Sequence, residues 1–387
     1  MYRNEKNRRL KICLVVTLPT WGGAQQYTYD LAKSLTDDYE ITVAVGQGHN
    51  KMLLDRIEKL NIPTYQFKYL VREISPIKDF IAIFEMRKFF HSRNFDIVHL
   101  NSSKAGVVGA IAAKLAGVKR VIYTAHGFVF NENLNIFKKL FYIFIELVSF
   151  VFTDEIITVS EFDAKSILKL HLISKRKVRV IHNGIDTNSL GFKSRIESRK
   201  FFEDKIGRNL SDFQIICSIS NLFDNKGVDY LIKAADILLL KNKKLMFIVI
   251  GEGPCRSRLE NLIKEKGIEN NFYLIGFVER PEQYLKGIDL YVSSSLKEGL
   301  PYSLMYVLNA GIPTISTDAG GSPEVVEDGF SGIIVSKKNP EKIAKEISTI
   351  IDNKDLYANF SDNATISTKR FSLDKMVEKT KKVYEEQ

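Results

Sequence analysis

The sequence predicts an α/β protein of two doubly wound domains that face a central cleft. Apolar, strand-like runs alternate with helical patterns, which is typical of parallel strands joined by crossover helices. The alternation begins again near residue 213, and 387 residues exceed the usual size of a single core. The predicted domains therefore cover 1–186 and 201–370, with a polar linker over 187–200. Doubly wound sheets bind ligands at the carboxyl ends of their strands, which places the expected site in the cleft.

The first half of the chain contains short β-rich runs separated by longer stretches with helical periodicity. The predicted strands are 11–17, 40–45, 96–100, 120–124, 155–159 and 178–181. The predicted helices are 23–35, 76–90 and 104–116. We expect these strands to form one parallel sheet with helices on its faces.

The second half repeats this pattern with a new set of strands. The predicted strands are 213–219, 245–250, 271–275, 289–293, 312–316 and 332–335. An apolar stripe at helical spacing follows the first of them, at Val228, Leu231, Ile232, Ala235 and Leu238. The final segment, 373–387, is predicted to be a helix.

The most apolar stretch of the chain, 140–152, is shorter than the roughly 20 residues that span a bilayer. Glu146 also interrupts it. The stretch is therefore predicted to be a buried or half-buried helix. The alternative is a helix lying on a membrane surface, with Lys138 and Lys139 at the lipid headgroups.

Charge and cysteine content limit the classes of partner. The formal net charge of +10 favours anionic partners, namely nucleotide phosphates, lipid phosphates or a membrane surface. Nucleic acid is disfavoured because no zinc-finger, RNP-type or basic-helix motif occurs. The three scattered cysteines form no metal pattern and indicate a reducing, cytoplasmic compartment. No metal site is expected, since the histidines show no zinc spacing and no Asp-x-Asp pair occurs.

A glycine pair, Gly22 and Gly23, follows the first predicted strand and opens the first helix. Such a turn lets a phosphate approach backbone N–H groups at a helix start. A tight strand-to-helix turn explains the pair equally well. The segment is not the GxGxxG fingerprint of dinucleotide-binding folds, so a nicotinamide cofactor is disfavoured.

The most informative segment is 298–306, in which Glu298 precedes a Gly-Leu-Pro turn that opens a helix. Pro301 suits the first helical turn, where a missing N–H costs nothing. The free N–H groups of that turn form an anion site beside the Glu298 carboxylate. A ligand that carries both phosphate and hydroxyl groups fits this pair, and a nucleotide sugar is such a ligand.

This segment closely resembles the donor-binding signature of glycosyltransferase family 4, the retaining enzymes of GT-B fold with two Rossmann-like domains. The sequence of Thr124-Ala125-His126-Gly127-Phe128 is similar to that of capsular and exopolysaccharide transferases. The likeness covers nearly the whole chain. It departs from the family at two positions, because Tyr306 stands where a second Glu is usual and Asn221 where an Arg is usual.

The resemblance implies roles for individual residues. Glu298 would hold hydroxyls of the donor sugar, His126 would face that sugar, and Lys226 would neutralise the leaving diphosphate. The other residues implied in donor binding are Gly22, Gly23, Asn221, Gly253, Phe277, Val278, Leu300, Pro301, Tyr302, Ser303 and Tyr306. For Gly253, Phe277 and Val278 a plain turn remains the alternative. The resemblance also implies that the C-terminal helix, over 371–387, crosses back to the first domain.

The implied function is metal-independent sugar transfer, with retention, from a nucleotide diphosphate donor, most often a UDP-sugar. The acceptor would be a lipid-linked saccharide or glycan in bacterial surface polysaccharide synthesis, reached at the inner face of the cell membrane. No cofactor is required beyond the donor substrate. One alternative is a catalytically degenerate GT-B partner subunit of an active transferase, because Asn221 and Tyr306 replace charged residues. The other is a sugar-nucleotide epimerase of the same fold.

Overall fold

The computed structural model describes residues 8–48, 50–132 and 134–386. These residues form two compact units, each built on a parallel β-sheet. The described residues up to Asn183, together with those from Leu373 onward, make unit 1, and Gly184–Ser372 make unit 2. The predicted α/β class with two parallel-sheet domains is confirmed.

Unit 1 contains a seven-stranded sheet in the order β3-β2-β1-β4-β5-β6-β7, and every described pairing is parallel. The strands are β1 (Lys11–Val16), β2 (Glu40–Val45), β3 (Thr64–Gln66), β4 (Ile97–Leu100), β5 (Arg120–Ala125), β6 (Glu155–Thr158) and β7 (Val178–Val180). The helices that connect them are α1 (Gly23–Leu35), α2 (Met52–Glu58), α3 (Pro76–Arg93), α4 (Ser103–Leu115), α5 (Ile136–Val151) and α6 (Glu161–Leu168). The central strand β1 is buried from Ile12 to Val16, as expected of a parallel strand covered on both faces.

Unit 2 contains a six-stranded parallel sheet in the order β10-β9-β8-β11-β12-β13. The strands are β8 (Gln214–Ile219), β9 (Leu245–Ile250), β10 (Phe272–Leu274), β11 (Leu290–Ser293), β12 (Thr314–Thr317) and β13 (Gly332–Val335). The helices are α7 (Arg195–Ile206), α8 (Val228–Leu239), α9 (Arg256–Glu265), α10 (Tyr302–Asn309), α11 (Ser322–Val325), α12 (Pro340–Asp352) and α13 (Lys354–Thr368). The apolar stripe predicted on α8 is buried in the core of this unit.

The last helix, α14 (Leu373–Glu385), packs in unit 1 against α1. The Tyr384 hydroxyl lies 2.6 Å from Nδ1 of His99 on β4, and the Tyr39 hydroxyl donates to Glu385 at 2.9 Å. Lys381 forms an ion pair with Asp38. The chain therefore leaves unit 1 near Asn183 and ends within the same unit.

Part of the segment predicted as a linker, 187–200, is helical, because α7 begins at Arg195. Ser194 and Glu197 form a capping box there, in which the Ser194 hydroxyl accepts from the Glu197 N–H and the Glu197 carboxylate accepts from the Ser194 N–H. The sequence prediction also omitted α2 and β3. These elements are too short to show a clear period.

The apolar stretch predicted over 140–152 is part of α5, which begins four residues earlier, at Ile136. The helix is half-buried, one of the two predicted outcomes, because Ser149 and Phe150 are buried while its outward side leaves Phe137, Leu140, Phe141 and Phe144 exposed. Glu146, which interrupts the apolar run in the sequence, is instead buried. None of the described helices has the length and hydropathy needed to cross a bilayer.

Candidate functional site

The carboxyl ends of β8, β11 and β12 carry three loops that meet in unit 2. The strand order places β8 beside β11, although β8 connects along the chain to β9 on its other side. The point where the chain reverses its direction of winding is the usual ligand site of a doubly wound sheet. Two predicted site residues, Lys226 and Glu298, lie on the first two of these loops.

Lys226 and Glu298 form an ion pair across this switch point, with Nζ 2.7 Å from Oε1. The Ser295 hydroxyl donates to the same carboxylate oxygen at 2.6 Å. The Glu298 side chain is 12% exposed, so the pair is partly withdrawn from water while remaining at the surface. Both contacts are made to Oε1, so neither of them prevents a ligand from binding to Oε2 of the same carboxylate.

The backbone around Glu298 is held by close contacts with the neighbouring loops. Gly320 has a φ of 56°, and a Cβ built there would lie 1.8 Å from the carbonyl oxygen of Glu298. The Gly321 N–H donates to the Gly299 carbonyl at 3.0 Å, and the Leu296 N–H donates to the Asn225 carbonyl at 2.8 Å. The glycine-rich loop after β12 therefore fixes the backbone that carries the carboxylate.

The helix after Glu298 begins one residue later than predicted. Pro301 occupies the N-cap position, with φ −75° and ψ 121°, and α10 starts at Tyr302. No side chain caps this end, and α10 starts from the loop that follows β11, so the N–H groups of its first turn, including that of Ser303, lie at the carboxyl end of the sheet. Leu300 and Tyr302 are buried. The rings of Tyr302 and Tyr306 approach each other with centroids 6.1 Å apart, which places Tyr306 one turn further along the helix.

The remaining predicted residues of unit 2 lie on loops beside β8 and β9. Asn221 is exposed. At Gly253 a Cβ would lie 2.4 Å from the Leu222 carbonyl oxygen, so local packing alone explains a glycine there. Phe277 is exposed and Val278 half-buried, immediately after the antiparallel bridge between Gly251 and Gly276. These two side chains are therefore accessible to a ligand, and a binding role for Gly253 stays a prediction.

Gly22 and Gly23 lie at the start of α1 in unit 1. Gly22 is the N-cap residue with an extended backbone, φ −174°, and no side chain caps the helix. A Cβ at Gly22 would lie 3.0 Å from Oε1 of Gln25, the far end of a flexible side chain. Neither backbone strain nor packing requires glycine at this position. The uncapped N–H groups of α1 fit the anion-binding interpretation of the pair.

His126 follows β5 in unit 1, and its Nε2 atom is enclosed without a hydrogen-bond partner among the described residues. The imidazole ring meets the Tyr27 ring edge to face at 4.9 Å. Burial lowers the pKa of His126 to about 3, so the ring is neutral near pH 7. A buried polar atom without a partner is costly, which makes Nε2 a candidate for a ligand contact.

Sequence reasoning missed a buried polar network beside His126. Nε2 of His99 lies 2.6 Å from the Thr124 hydroxyl, which lies 3.4 Å from the Tyr27 hydroxyl. Nδ1 of His99 lies 2.6 Å from the Tyr384 hydroxyl on α14. Burial, and then the nearby His126, lower the pKa of His99 to about 3. A signal was present, because a lone His inside the apolar run of β4 requires polar partners once buried.

The described part of the chain contains cysteine and acidic side chains, which are possible reactive thiols or metal ligands. Cys13 and Cys217 are both buried and not paired with another cysteine, and burial raises the pKa of each thiol. Across residues 8–48, 50–132 and 134–386, no three His, Cys, Asp or Glu side chains are grouped so as to hold a metal ion.

Two family models match the chain, one in each half. The model described as Glycosyltransferase Family 4 matches residues 21–189, and that described as Glycosyl transferases group 1 matches residues 199–366. The second match contains Lys226, Glu298 and the three loops that meet at the switch point. The first contains the Gly22–Gly23 turn and His126.

Curated relatives align over most of their own length. An Escherichia coli protein named UDP-Gal:α-D-GlcNAc-diphosphoundecaprenol α-1,3-galactosyltransferase is 26% identical over 97% of this chain and 97% of its own. The capsular polysaccharide biosynthesis glycosyltransferase CapM of Staphylococcus aureus is 26% identical over 76% of this chain and 77% of its own.

Solved structures show the same fold. The Anabaena protein HepE, in complex with UDP and glucose, superposes with a TM-score of 0.84 at 22% identity, covering 97% of this chain and 99% of that one. A Staphylococcus aureus TarM variant, in complex with fondaparinux, α-GlcNAc-glycerol and UDP, gives a TM-score of 0.75 at 15% identity, covering 97% of this chain and all of that one. The two sheets and their order are therefore those of the GT-B architecture.

Proposed function

Because the chain belongs to the glycosyltransferases of family 4, we propose that it transfers a sugar from a UDP-sugar, with retention, to a lipid-linked or glycan acceptor in bacterial surface polysaccharide synthesis. The observation that carries the proposal is the Lys226–Glu298 ion pair at the switch point of unit 2. The relative named as acting on GlcNAc-diphosphoundecaprenol supports both a UDP donor and a lipid-linked acceptor.

The ion pair offers a cation and a carboxylate to a ligand that carries both phosphate and hydroxyl groups. We expect Lys226 to bind the diphosphate and Glu298 to accept hydrogen bonds from sugar hydroxyls. Ser295 keeps the carboxylate in place when Lys226 turns to the phosphate, because it donates to Oε1 independently of the lysine. Charge-assisted hydrogen bonds of this kind are the strong ones.

The uncapped first turn of α10 adds a second source of positive potential. Its N–H groups and the helix dipole favour an anion at that end. We expect the diphosphate to be shared between this turn and Lys226, with Asn221, Phe277, Val278 and Tyr306 contacting the nucleoside. The Gly22–Gly23 turn offers unit 1 a similar uncapped helix start.

The chemical step requires the C–O bond to the diphosphate to break while the acceptor oxygen bonds to the anomeric carbon on the same face. The acceptor proton passes to the departing phosphate oxygen, so the products are the glycoside and UDP. Positive charge grows on the sugar ring and negative charge on the diphosphate. Lys226 and the α10 amides oppose the second of these charges, and such preorganised electrostatics is usually the largest catalytic contribution. We propose that these groups make a metal ion unnecessary.

His126 is proposed to contact the sugar that is transferred. Its neutral ring can donate or accept a hydrogen bond at Nε2, the atom that lacks a partner. The edge of the Tyr27 ring and the network behind it restrict the orientation of the imidazole. We assign it a binding and orienting role and name no residue as a covalent nucleophile.

A calorimetric titration of the wild-type chain, Glu298→Gln and Lys226→Met with UDP and UDP-sugars tests the proposal. We expect Lys226→Met to weaken UDP binding by about tenfold to 100-fold, since a hydrogen bond to a charged group is lost. Glu298→Gln should weaken the UDP-sugar and leave UDP nearly unchanged. The matched control is Glu346→Gln, because Glu346 pairs with Lys342 at 2.8 Å and its side chain is 10% exposed. Equal effects of Glu298→Gln and Glu346→Gln would contradict the proposal.

The second candidate is a partner subunit without activity of its own. It is favoured by Asn221 and Tyr306, which supply no full charge where the family has Arg and Glu. This function predicts that the purified chain neither binds a nucleotide nor transfers sugar, but raises the activity or stability of a second transferase. Sugar transfer by the isolated chain would exclude it.

A further inference from the structure

The outward side of α5 is apolar and uncovered. Phe137, Leu140, Phe141, Phe144 and Val151 recur at helical spacing and are all exposed, Phe137 to 82% and Phe144 to 64%. The side that packs on unit 1 carries Glu146, Ser149 and Phe150, together with the partly buried Tyr142, Ile143 and Leu147. A helix that served only the core would place its large apolar residues inward. Helix α5 instead carries large apolar residues on both sides, and those on its outward side do not serve the core.

Helix α3 shows the same feature over its first two turns. Ile77, Phe80, Ile81 and Phe84 are exposed on one stripe, and the Phe80 and Phe84 rings meet at 4.9 Å. Beyond Phe84 the exposed residues of this helix are polar or charged, beginning with Arg87 and Lys88. The apolar part of α3 is therefore confined to its N-terminal half.

Helix α4 lies between these two helices and contacts both of them. Lys104 at its start pairs with Asp79 at the start of α3, and Arg87 near the end of α3 donates to the Leu115 carbonyl at the end of α4. The buried residues of α4 are Ala, Gly and Val, which are small. The exposed apolar stripes of α3 and α5 therefore lie on either side of α4. Crossover helices start at the carboxyl end of a parallel sheet, so both apolar stripes lie toward the sheet edge that carries His126.

The charge of the chain is concentrated in the same unit. Unit 1 contains 31 Lys and Arg and 21 Asp and Glu, a net charge of +10, whereas unit 2 contains 25 of each kind and is neutral. Within α3, α4 and α5 there are eight Lys and Arg and three Asp and Glu. Two of the three carboxylates have partners within unit 1: Asp79 pairs with Lys104, and Glu85 accepts hydrogen bonds from the N–H groups of Lys68 and Tyr69. The third, Glu146, is buried.

We propose that this surface, formed by the outward sides of α3 and α5, docks on an anionic lipid bilayer. Apolar side chains bordered by lysines are what an interfacial contact requires, since the rings enter the acyl boundary while the cations remain at the headgroups. Lys138 and Lys139 are exposed on the same turn as Phe137 and Phe141. Docking on a bilayer would bring the site to a lipid-linked acceptor. This reason for docking rests on the proposed function, whereas the docking itself does not.

The test is co-sedimentation of the full chain with vesicles of phosphatidylglycerol and phosphatidylcholine, compared with phosphatidylcholine alone. Wild type should bind the anionic vesicles, and moderate salt should weaken binding without abolishing it, because the apolar part is not screened. The double variant Phe137→Ser with Phe144→Ser should lower the partition coefficient by on the order of 30-fold. Lys138→Gln with Lys139→Gln should lower it about tenfold or more on the anionic vesicles alone.

The matched control is Ile196→Ser with Leu240→Ser in unit 2, where the two residues are 83% and 78% exposed. This variant should bind vesicles like the wild type. The proposal would be overturned if the wild type did not bind vesicles. It would also be overturned if the Ile196 and Leu240 variant lost as much vesicle binding as the Phe137 and Phe144 variant. A shift from dimer to monomer in the Phe137 and Phe144 variant, with vesicle binding unchanged, would also overturn it and assign the surface to a contact between copies of the chain. Calorimetric UDP-sugar binding is measured on the same samples, so a failure of docking and a failure of the donor site are distinguished.

Discussion

The two units share one architecture but hold their polar groups in opposite ways. In unit 2 the charged pair Lys226 and Glu298 lies at the surface, fixed by Ser295 and by glycine contacts from a neighbouring loop. In unit 1 the polar groups next to His126 are buried and joined in a chain that ends at Tyr384. A surface pair can exchange partners with a ligand, whereas a buried chain can only hold its neighbours in place. This difference supports the proposal that unit 2 binds the donor and that the buried network of unit 1 orients His126.

The first prediction tests how firmly unit 2 holds Glu298. Gly320→Ala should lower the free energy of unfolding by about 3 kcal/mol or more, because a Cβ there overlaps the Glu298 carbonyl at a positive φ. It should also weaken UDP-sugar binding through displacement of Glu298. Denaturant unfolding and calorimetry measure the two effects.

Gly329→Ala is the matched control for this prediction. Gly329 has a φ of 74°, and a Cβ there meets nothing within 4 Å. Gly329→Ala should lower the free energy of unfolding by about 1 kcal/mol, because alanine is strained in the left-handed region, and it should leave donor binding unchanged. If both variants lost the same stability, the contact between the two loops would not be what holds the carboxylate.

The second prediction concerns the pH dependence of unit 1. The folded pKa values of His99 and His126 are lowered to about 3, while an unfolded histidine titrates near 6.5. The unfolded chain therefore binds more protons between pH 6.5 and pH 3, and the stability present above pH 6.5 is lost as the pH falls through this window. Each histidine contributes a slope of about 1.4 kcal/mol per pH unit there.

Denaturant titrations between pH 7 and pH 5 measure this slope. A His99→Gln variant should show a slope smaller than that of the wild type by the contribution of one histidine. Identical slopes for the two proteins would mean that His99 is not held neutral by burial. Activity profiles are not needed, so the result is independent of the proposed reaction.

The sequence predicted most of the strands and longer helices, because apolar runs of four to six residues in a doubly wound protein leave few alternatives. It did not identify β3 and α2, which are too short for a period, or the longer helices α7, α12 and α13. At α5 it predicted a half-buried helix but not that several of its aromatic residues face outward while its one acid is buried. The family prediction is confirmed by the two matching models. The roles of the individual site residues remain predictions.

The supporting contacts of the candidate site could not be predicted from local sequence. Gly320 touches Glu298 from a loop 22 residues away, and Tyr384 reaches His99 across 285 residues. Such pairs arise from the three-dimensional arrangement of the sheet edges, and no spacing rule encodes them. Glu298 was found from the Gly-Leu-Pro turn that follows it, and Lys226 from the family resemblance. A parallel sheet brings its carboxyl-end loops together wherever they occur in the chain, which explains why the two residues meet.

The third prediction tests the buried chain in unit 1 by removing one hydroxyl. Tyr384→Phe should lower the free energy of unfolding by about 1–3 kcal/mol, because Nδ1 of His99 is then left buried without its partner. Tyr39→Phe is the matched control, since its hydroxyl bonds to Glu385 on the same helix but at a partly exposed position. If Tyr39→Phe lowered the free energy of unfolding more than Tyr384→Phe does, the contact with His99 would not be the stronger of the two.

The smallest effect is expected at the surface ion pair between Lys381 and Asp38, which also joins α14 to unit 1. Lys381→Met should change the free energy of unfolding by about 0.2–1 kcal/mol, because both partners are partly exposed and exposed pairs gain little over their hydration. The effect should shrink further in high salt, whereas that of Tyr384→Phe should not. If Lys381→Met cost more than Tyr384→Phe at low salt, surface charge would hold α14 in place, and the buried network would serve the orientation of His126 alone.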